Sequence, residues 1–424
     1  MNKCKTLIRQ LLCGLLCLGL AACQPSVTDD KRAQQEPRRL THDAYIWQRV
    51  WFAELGDAID SSSQWLTQWR VLVAQLDGNG AWQRSAWQGA PLRMSGLPLV
   101  AVFRLEGNLA MHQRKQVIQQ LVRHMKELRA SGLLWQGMEI DHDAASADLQ
   151  QYALFLQELR AKLHAAGLYP AISVTALPDW LTHNAYAEVE AASNHVVLQL
   201  HGPHLNPGQI FDAKHAQTWV RQLAARSQRP FWIALPNYGV RLHWDAPHTA
   251  ARVEAEAPLA KKGMRMREVL VSPRAVQAFI HQLEQHGAPP NLHGIVWFRL
   301  PTARDQRSWS LATWQAVLRG ERLNTALYAE LQPAPRHPGW QRLQVQNEGV
   351  LDLPLPGQVL VQGECSLVDG EADLRYRVEE SLQGGLPELR FTRRGPEMGR
   401  IRAQQEFTLA TITCKDAARL RLIP

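Results

Sequence analysis

The sequence predicts an α/β protein, a (β/α)₈ TIM-type barrel followed by a small antiparallel β-sandwich. Eight short apolar runs alternate with longer connections of helical pattern over the first three quarters of the chain, as in a buried parallel barrel. After about Gly320 the pattern changes to short alternating runs broken by Gly and Pro, which is typical of antiparallel strands. The length of 424 residues is also more than one ordinary core needs.

Residues 1–22 predict a secretion signal that does not belong to the fold. Basic residues precede an apolar run from Leu11 to Leu20, which is shorter than the roughly 20 residues that cross a bilayer. The following Ala-Ala-Cys resembles the bacterial lipobox, which implies cleavage before Cys23 and lipidation of its thiol. Gln24 then favours the outer membrane, so the expected location is the cell envelope, facing the periplasm. An uncleaved anchor is the alternative.

Residues 23–41 are polar and charged, which predicts a flexible tether behind the lipidated cysteine. Of the six cysteines, three lie in the signal and Cys23 carries lipid, which leaves Cys365 and Cys414. An even pair in an oxidising compartment predicts one disulfide. Two unpaired buried thiols are the alternative.

The net charge of +8 is scattered along the chain without a basic block or interleaved aromatic residues. This distribution gives no indication of a nucleic-acid partner. Cys and His residues show no metal-ligand spacing, and no cofactor motif is present, so we expect neither a metal nor an organic cofactor.

The barrel is predicted over 42–322, with a doubly wound open sheet as the alternative. Helices are predicted from Met111 to Ala130, from Ser146 to Ala166 and from Ser272 to Gln285. Predicted strands are Ala44–Val50, Arg70–Leu76, Leu99–Leu105, Gly137–Asp141, Pro170–Ala176, His195–Leu200, Phe231–Leu235 and Gly294–Phe298.

Active sites of such barrels gather at the carboxyl ends of the strands. Aromatic and hydrogen-bonding side chains follow these ends and suit a sugar, whose ring stacks on aromatic faces while its hydroxyls take polar partners. The predicted substrate-binding residues are Trp47, Gln199, His201, Tyr238, Trp297 and Arg299. For Trp47 and Trp297 plain barrel packing is an equal alternative. For His201 the alternative is a structural histidine, and for Gln199 it is a bridge between neighbouring strands.

The fourth predicted strand is unusual because Glu139, Asp141 and Asp143 point to one face. Repulsion among three close acids should leave one of them protonated near neutral pH, which is what general acid catalysis needs. Helix capping, pairing with structural Arg or Lys, a solvated strand end and a divalent cation are the alternatives.

The segment from Val240 to Val271 shows little helical periodicity and predicts a long loop over the barrel mouth. Prolines predict a linker over 323–339. Alternating runs over 340–424 predict the β-sandwich, which the Cys365–Cys414 pair would staple.

The fourth-strand pattern of Gly137, Glu139, Asp141 and Asp143 resembles that of chitinase-type glycoside hydrolases. The Ala234–Val240 segment and Trp297 are also similar to the seventh and eighth strands of that family. The resemblance implies a barrel in which Asp143 is the catalytic acid, Asp141 orients the N-acetyl group of the substrate and Glu139 supports both. The whole chain looks closer to an uncharacterised family of bacterial lipoproteins with a domain of unknown function.

We therefore expect an envelope lipoprotein that hydrolyses or remodels a polysaccharide containing amino sugars. The alternative is a non-catalytic barrel that binds glycan or an envelope protein partner. It is favoured by Asp143, where the hydrolases have Glu, and by His201, where they have Tyr.

Overall fold

The computed structural model describes residues 37–107, 111–202, 209–244, 252–254, 265–305, 307–335, 337–395 and 399–424. The predicted signal over 1–22, the lipidated Cys23 and the tether up to residue 36 lie outside the described residues. No helix in the described ranges is long and apolar enough to cross a membrane.

The first part of the chain contains twelve strands within the described residues. They are β1 (Thr41–Ile46), β2 (Gln68–Leu76), β3 (Trp82–Arg84), β4 (Leu99–Leu105), β5 (Trp135–Asp141), β6 (Ala171–Ala176), β7 (His195–Gln199), β8 (Phe231–Pro236), β9 (Gly239–Trp244), β10 (Arg252–Glu254), β11 (Arg265–Leu270) and β12 (Leu292–Phe298).

Eight of these strands form a closed parallel barrel, which confirms the predicted fold. Their order is β1-β12-β8-β7-β6-β5-β4-β2, and β1 pairs with both β12 and β2. This double pairing closes the ring, so the open doubly wound sheet is wrong. Strand β3 pairs with β2 in antiparallel fashion outside the ring.

The helices that surround the barrel pack on it through apolar faces. Their bounds are α1 (Ala53–Ser63), α2 (Gly89–Ser95), α3 (Met111–Ala130), α4 (Leu149–Ala165), α5 (Tyr186–Ala192), α6 (Ala213–Arg226), α7 (Pro273–Gln285) and α8 (Leu311–Leu318). Helix α7 begins as predicted, because the Ser272 hydroxyl accepts a hydrogen bond from the Ala275 N–H at 3.3 Å. A 3₁₀ turn, Ser146–Asp148, precedes α4 where the sequence predicted continuous helix.

The segment predicted as a long loop forms a small antiparallel sheet instead. Strand β9 pairs with both β10 and β11, from the Gly239–Leu270 pair to the Trp244–Arg265 pair. Helical periodicity is weak in this segment because its described parts are strands. Asp245, Glu256 and the Lys261–Lys262 pair of this segment lie outside the described residues.

The C-terminal part is an antiparallel β-sandwich, as predicted. Its strands are β13 (Leu327–Pro333), β14 (Trp340–Asn347), β15 (Leu353–Pro354), β16 (Gln358–Gln362), β17 (Cys365–Ala372), β18 (Tyr376–Gln383), β19 (Leu386–Arg393), β20 (Arg400–Ile401), β21 (Gln405–Cys414) and β22 (Arg419–Ile423). Two four-stranded sheets, β13-β14-β21-β17 and β18-β19-β16-β22, share one apolar core. The Cys365–Cys414 disulfide joins β17 to β21 and confirms the predicted pairing.

One part of the predicted linker, 323–339, is a strand. Strand β13 lies in this range and pairs along its whole length with β14. The prolines at 333 and 335 stand at and beyond the end of β13, so they mark a turn rather than a flexible connection.

Candidate functional site

A pocket of about 660 Å³ lies at the carboxyl ends of the barrel strands. Most barrel strands, or the segments that follow them, contribute to its lining, as the fold predicts. The lining residues are Tyr45, Trp47, Arg49, Gln75, Arg104, Glu106, Asp141, Asp143, Thr175, Gln199, His201, Ala234, Tyr238, Gly239, Phe298, Arg299, Arg304, Asp305, Arg307 and Ser308.

Two of the predicted acids form one side of the pocket. Asp141 is the last residue of β5 and is buried, whereas the side chain of Asp143 lies just beyond the strand and is 43 % exposed. The Arg104 guanidinium donates to Asp141 Oδ2 and to Asp143 Oδ2, both at 2.8 Å. Arg104 reaches both because it pairs in register with Asp141 across β4 and β5. Asp141 Oδ1 also accepts from the Thr175 hydroxyl at 2.7 Å.

Arg104 changes the electrostatics that the sequence suggested. Burial lowers the pKa of Arg104, but Asp141 and Asp143 together raise that pKa above its ordinary value. The guanidinium is therefore a fixed cation that relieves the repulsion between the two carboxylates. The prediction of a repulsive acid cluster assumed that no cation lies among the carboxylates, whereas Arg104 lies between two of them.

Glu139 lies below the pocket, inside the barrel, and does not line the site. Its side chain is fully buried and is paired with the Arg70 guanidinium. It also accepts hydrogen bonds from the Tyr45 hydroxyl at 2.5 Å and the Ser173 hydroxyl at 3.0 Å. The strand alternation correctly placed Glu139 on the inner face, but its depth gives it a structural contact with Arg70 rather than access to a ligand.

Aromatic rings form the apolar part of the pocket. Trp47 follows β1 and packs edge-on against Phe298, with ring centroids 5.0 Å apart. Phe298 also contacts Tyr45 edge-on. The His201 ring stacks on Phe298, with ring centroids 5.3 Å apart. The predicted Trp47 and His201 therefore lie in one aromatic cluster at the base of the pocket.

Polar partners hold the remaining predicted pocket residues in place. The ring Nδ1 of His201 lies 3.1 Å from the Tyr238 hydroxyl, and Gln199 Nε2 donates to the His201 carbonyl at 3.0 Å. Burial raises the pKa of Tyr238, while Arg299 acts in the opposite direction. Arg299 is paired with Asp305.

Trp297 is the predicted binding residue that the structure does not place in the pocket. On β12 the inner positions include Val296 and Phe298, so Trp297 points outward and is fully buried under the helices. There it packs against Trp309 and Trp314. Packing, the alternative for this residue, is correct, and Phe298 takes the inner place.

Several pocket residues were absent from the predicted site. The largest group is Arg304, Asp305 and Arg307, which follow the predicted Arg299 in the chain. The signal that could have identified them is the density of arginine between 299 and 307, in the connection that follows the last barrel strand. Arg49 follows β1 and donates to Gln75 Oε1 at 2.5 Å.

A metal is not needed to explain the acid cluster. Arg70 and Arg104 provide the cations that face Glu139, Asp141 and Asp143. In the described part of the chain, no group of three or more His, Cys, Asp or Glu side chains is placed to hold a metal ion.

Comparison with known protein families matches the central part of the barrel. Residues 95–303 match the family model described as "Domain of unknown function (DUF3142)". That description assigns no activity. No functionally curated protein matches the sequence.

Solved structures similar to this chain include enzymes and an inhibitor. A chitinase from Chromobacterium violaceum is 17 % identical, with 66 % of this chain and 98 % of the chitinase covered and a TM-score of 0.46. The spore cortex-lytic enzyme SleL from Bacillus megaterium is 15 % identical, with 68 % and 76 % covered and a TM-score of 0.47. The xylanase and α-amylase inhibitor protein from Scadoxus multiflorus is 11 % identical, with 68 % and 100 % covered and a TM-score of 0.40.

Replacing Arg70 with Met tests the buried ion cluster. The substitution leaves Asp43 and Glu139 buried without their cation, so we expect the free energy of unfolding to fall by about 4 kcal/mol. Urea denaturation measures this value. Arg84→Met is the matched control, because the Arg84–Glu127 pair is exposed and should contribute less than about 1 kcal/mol. Equal losses in the two variants would contradict a supporting role for the cluster.

His42 should make stability depend on pH. Burial lowers the pKa of His42 to about 4, with a smaller effect from Arg39, and the ring Nδ1 accepts the Trp297 indole N–H at 3.1 Å. In the unfolded chain a histidine titrates near 6.5, so the unfolded state binds more protons between pH 6.5 and 4. The contribution of His42 to the free energy of unfolding is therefore complete above pH 6.5 and decreases as the pH falls towards 4.

The measurement compares unfolding free energies across this pH range in His42→Gln and in the native protein. The variant should lose less stability on acidification, by on the order of 2 kcal/mol. Burial also lowers the pKa of His124, His142 and His195. These residues should account for the pH dependence of the unfolding free energy that remains in His42→Gln. His286→Gln, at an exposed position, is the control. Identical slopes in His42→Gln and the native protein would refute the assignment.

Proposed function

We propose that the pocket binds an oligosaccharide and that the protein hydrolyses or remodels a polysaccharide containing amino sugars. The observation that carries this proposal is the side chain of Asp143, a half-exposed carboxylic acid that faces an open pocket of about 660 Å³. A barrel with a closed mouth would instead have favoured a scaffold. The proposal rests on the pocket itself.

The pocket lining matches the surface of a sugar. The apolar face of a pyranose ring packs on aromatic side chains, here those of Trp47 and Phe298. The hydroxyl groups require donors and acceptors, which Gln75, Thr175 and Gln199 supply around the rings. Concave sites with an apolar base and a few placed polar groups are typical of small-ligand binding.

The proposed chemistry assigns different roles to the two acids. Asp143, as the more exposed acid, would pass its proton to the glycosidic oxygen as the bond to the anomeric carbon breaks. Asp141 is held by Arg104 and Thr175 and would orient the N-acetyl group, whose carbonyl oxygen takes the place of the departing oxygen at the anomeric carbon. Water would then release the sugar and restore the proton to Asp143.

Arg104 favours a second candidate function, a non-catalytic glycan-binding barrel. Its guanidinium donates a hydrogen bond to each carboxylate at 2.8 Å, and the one to Asp143 occupies Oδ2. For Asp143 to act as an acid, a bound sugar must displace Arg104 from Asp143 Oδ2. If it does not, the pocket binds sugar without cleaving it.

We also propose that the barrel is tethered to a membrane of the cell envelope through a lipid on Cys23. The support is the basic and apolar sequence before the Ala-Ala-Cys motif and the polar segment that follows it. Such a tether would hold the pocket close to envelope polysaccharides, and an envelope protein partner is compatible with it.

Asp143→Asn separates the two candidate functions. Mature protein is incubated with amino-sugar oligosaccharides, including peptidoglycan fragments, and products are measured by mass spectrometry. For a glycosidase we expect the variant to lose about 10²- to 10⁴-fold in turnover while binding is retained, because only the proton donor is lost. Asp143→Glu should retain activity, and Asp416→Asn, at an exposed position of the β-sandwich, is the control. Binding by native protein and Asp143→Asn without product from either would establish the non-catalytic alternative.

Cys23→Ser tests the lipid anchor. The native chain expressed in a bacterial host should fractionate with membranes and require detergent for release. The variant should appear in the soluble fraction, because serine cannot form the thioether to lipid. Cys4→Ser, within the predicted signal, is the control for loss of a thiol elsewhere in the chain. Membrane fractionation unchanged in Cys23→Ser would refute the anchor.

A further inference from the structure

A second groove, of about 910 Å³, lies near the amino ends of the barrel strands. Residues 37–40, which lead into β1, line one part of it, and the last turns of α7 and α8 line other parts. The helices of such a barrel end where the next strand begins, so this groove lies towards the end of the barrel opposite to the pocket that contains Asp143. We call it the amino-end groove.

The floor of the amino-end groove is apolar. The buried apolar side chains that line it are Leu40, Ile280, Val317 and Leu318. Trp65 also lines the groove but is 40 % exposed, and the Arg319 guanidinium lies 5.4 Å from the centroid of its ring. Tryptophan side chains that are partly apolar and partly hydrated are enriched where proteins meet a membrane surface.

Cations outnumber acids in the lining of the groove. The charged lining residues are Arg38, Arg39, Arg274, Arg319 and Glu284. Three of them have partners within the fold. Arg38 donates to the Pro289 carbonyl at 3.1 Å, Arg319 pairs with Glu321, and the Glu284 carboxylate accepts a backbone N–H.

Arg39 and Arg274 are different, because the fold gives their guanidinium groups no partner. Both residues are exposed, and neither guanidinium makes a hydrogen bond or an ion pair with any described residue. Arg274 also lies in the first turn of α7, where the helix dipole disfavours a cation. Helix stability therefore does not explain an arginine at this position, and both cations are available to an external anion.

The described chain begins at the edge of this groove. Pro37 is the first described residue and belongs to the groove lining. The proposed lipid on Cys23 is attached 14 residues before Pro37. A segment of that length spans at most about 50 Å when fully extended. The anchor would therefore keep this end of the barrel, rather than the opposite end, close to the membrane surface.

From the unpaired cations, the apolar floor and the position of Pro37, we propose that the amino-end groove docks on the anionic phospholipid headgroups of the membrane that holds the anchor. Arg39 and Arg274 bind phosphate, for which guanidinium groups are well suited, and Trp65 lies at the interface. This inference rests on the lipid anchor proposed for Cys23. Docking would direct the pocket that contains Asp143 away from the membrane and towards polysaccharide.

The experiment measures docking in the native lipoprotein reconstituted in nanodiscs. Ala278 is exposed and lines the groove, so Ala278→Cys labelled with bimane reports contact with headgroups that carry a nitroxide quencher. Asp416→Cys, exposed in the β-sandwich, carries the control label. The nanodiscs contain phosphatidylcholine alone or phosphatidylcholine mixed with phosphatidylglycerol. Soluble glycerol phosphate is added in a separate titration.

We expect quenching of the label at position 278 in the anionic nanodiscs, and little quenching in the neutral ones or at position 416. An arginine near an anionic surface changes a binding constant about fivefold. Replacing both Arg39 and Arg274 with Gln should therefore lower the ratio of docked to undocked protein about 25-fold, and raised salt should also lower it. The matched control replaces Arg123 of α3 and Arg421 of the β-sandwich with Gln, which removes the same charge from exposed positions elsewhere.

The outcomes separate this inference from the proposed anchor. Absence of quenching at position 278, equal quenching in neutral and anionic nanodiscs, or an equal loss in the control pair would overturn docking and leave the anchor standing. Loss of quenching on addition of glycerol phosphate at a matched phosphate concentration would overturn the choice of a membrane surface over a free phosphate ester. Failure of the native chain to enter nanodiscs would remove the anchor and this inference with it.

Discussion

The barrel depends on a buried ion cluster in which Arg70 lies between Asp43 and Glu139. All three side chains are almost fully buried, and removing such charges from water is costly unless each finds its partners. The hydroxyls of Thr67, Tyr45 and Ser173 and the amide of Gln68 donate to the two carboxylates and complete the cluster. It joins β1, β2, β5 and β6, and thereby fixes the register that brings the next acid on β5 to the pocket.

Closer to the carboxyl ends of the strands, an arginine again lies between two acids, but there solvent reaches one of the acids. Arg104 lies between Asp141 and Asp143 as Arg70 lies between Asp43 and Glu139, but the outer acid is exposed to the pocket. An exposed ion pair is weak enough for a ligand to replace, whereas a buried one is not. The depth of each acid along the barrel axis, rather than its residue type, separates a structural carboxylate from an accessible one.

The alternation of side chains along the strands could be read from the sequence. The depth of each side chain along the barrel axis could not. Eight apolar runs were enough to predict the barrel, and the rule that sites gather at strand ends led to Trp47, His201 and Tyr238, which the structure brings together. The prediction that Trp297 lines the pocket was wrong. Alternation alone does not say which of two successive residues points into the barrel, because that choice depends on the pairing with neighbouring strands. Glu139 shared the correct face but lay too deep. Arg299 was predicted, but Arg304, Asp305 and Arg307 beside it in the pocket lining were not, because they lie beyond the strand end in a connection of irregular structure.

The β-sandwich also contributes to the shape of the pocket. Asp352 accepts hydrogen bonds from the backbone N–H of Ser310 at 2.7 Å and of Ala403 at 2.9 Å, which fixes the sandwich to the start of α8. Arg402 donates to the Thr302 carbonyl at 3.3 Å, and the Thr302 N–H and hydroxyl both donate to Asp305, the partner of Arg299. The loop that carries Arg299 and Asp305 is therefore held from outside the barrel. This support keeps Asp305 beside Arg299, so the sandwich helps to fix the charged side of the pocket opposite Asp141 and Asp143.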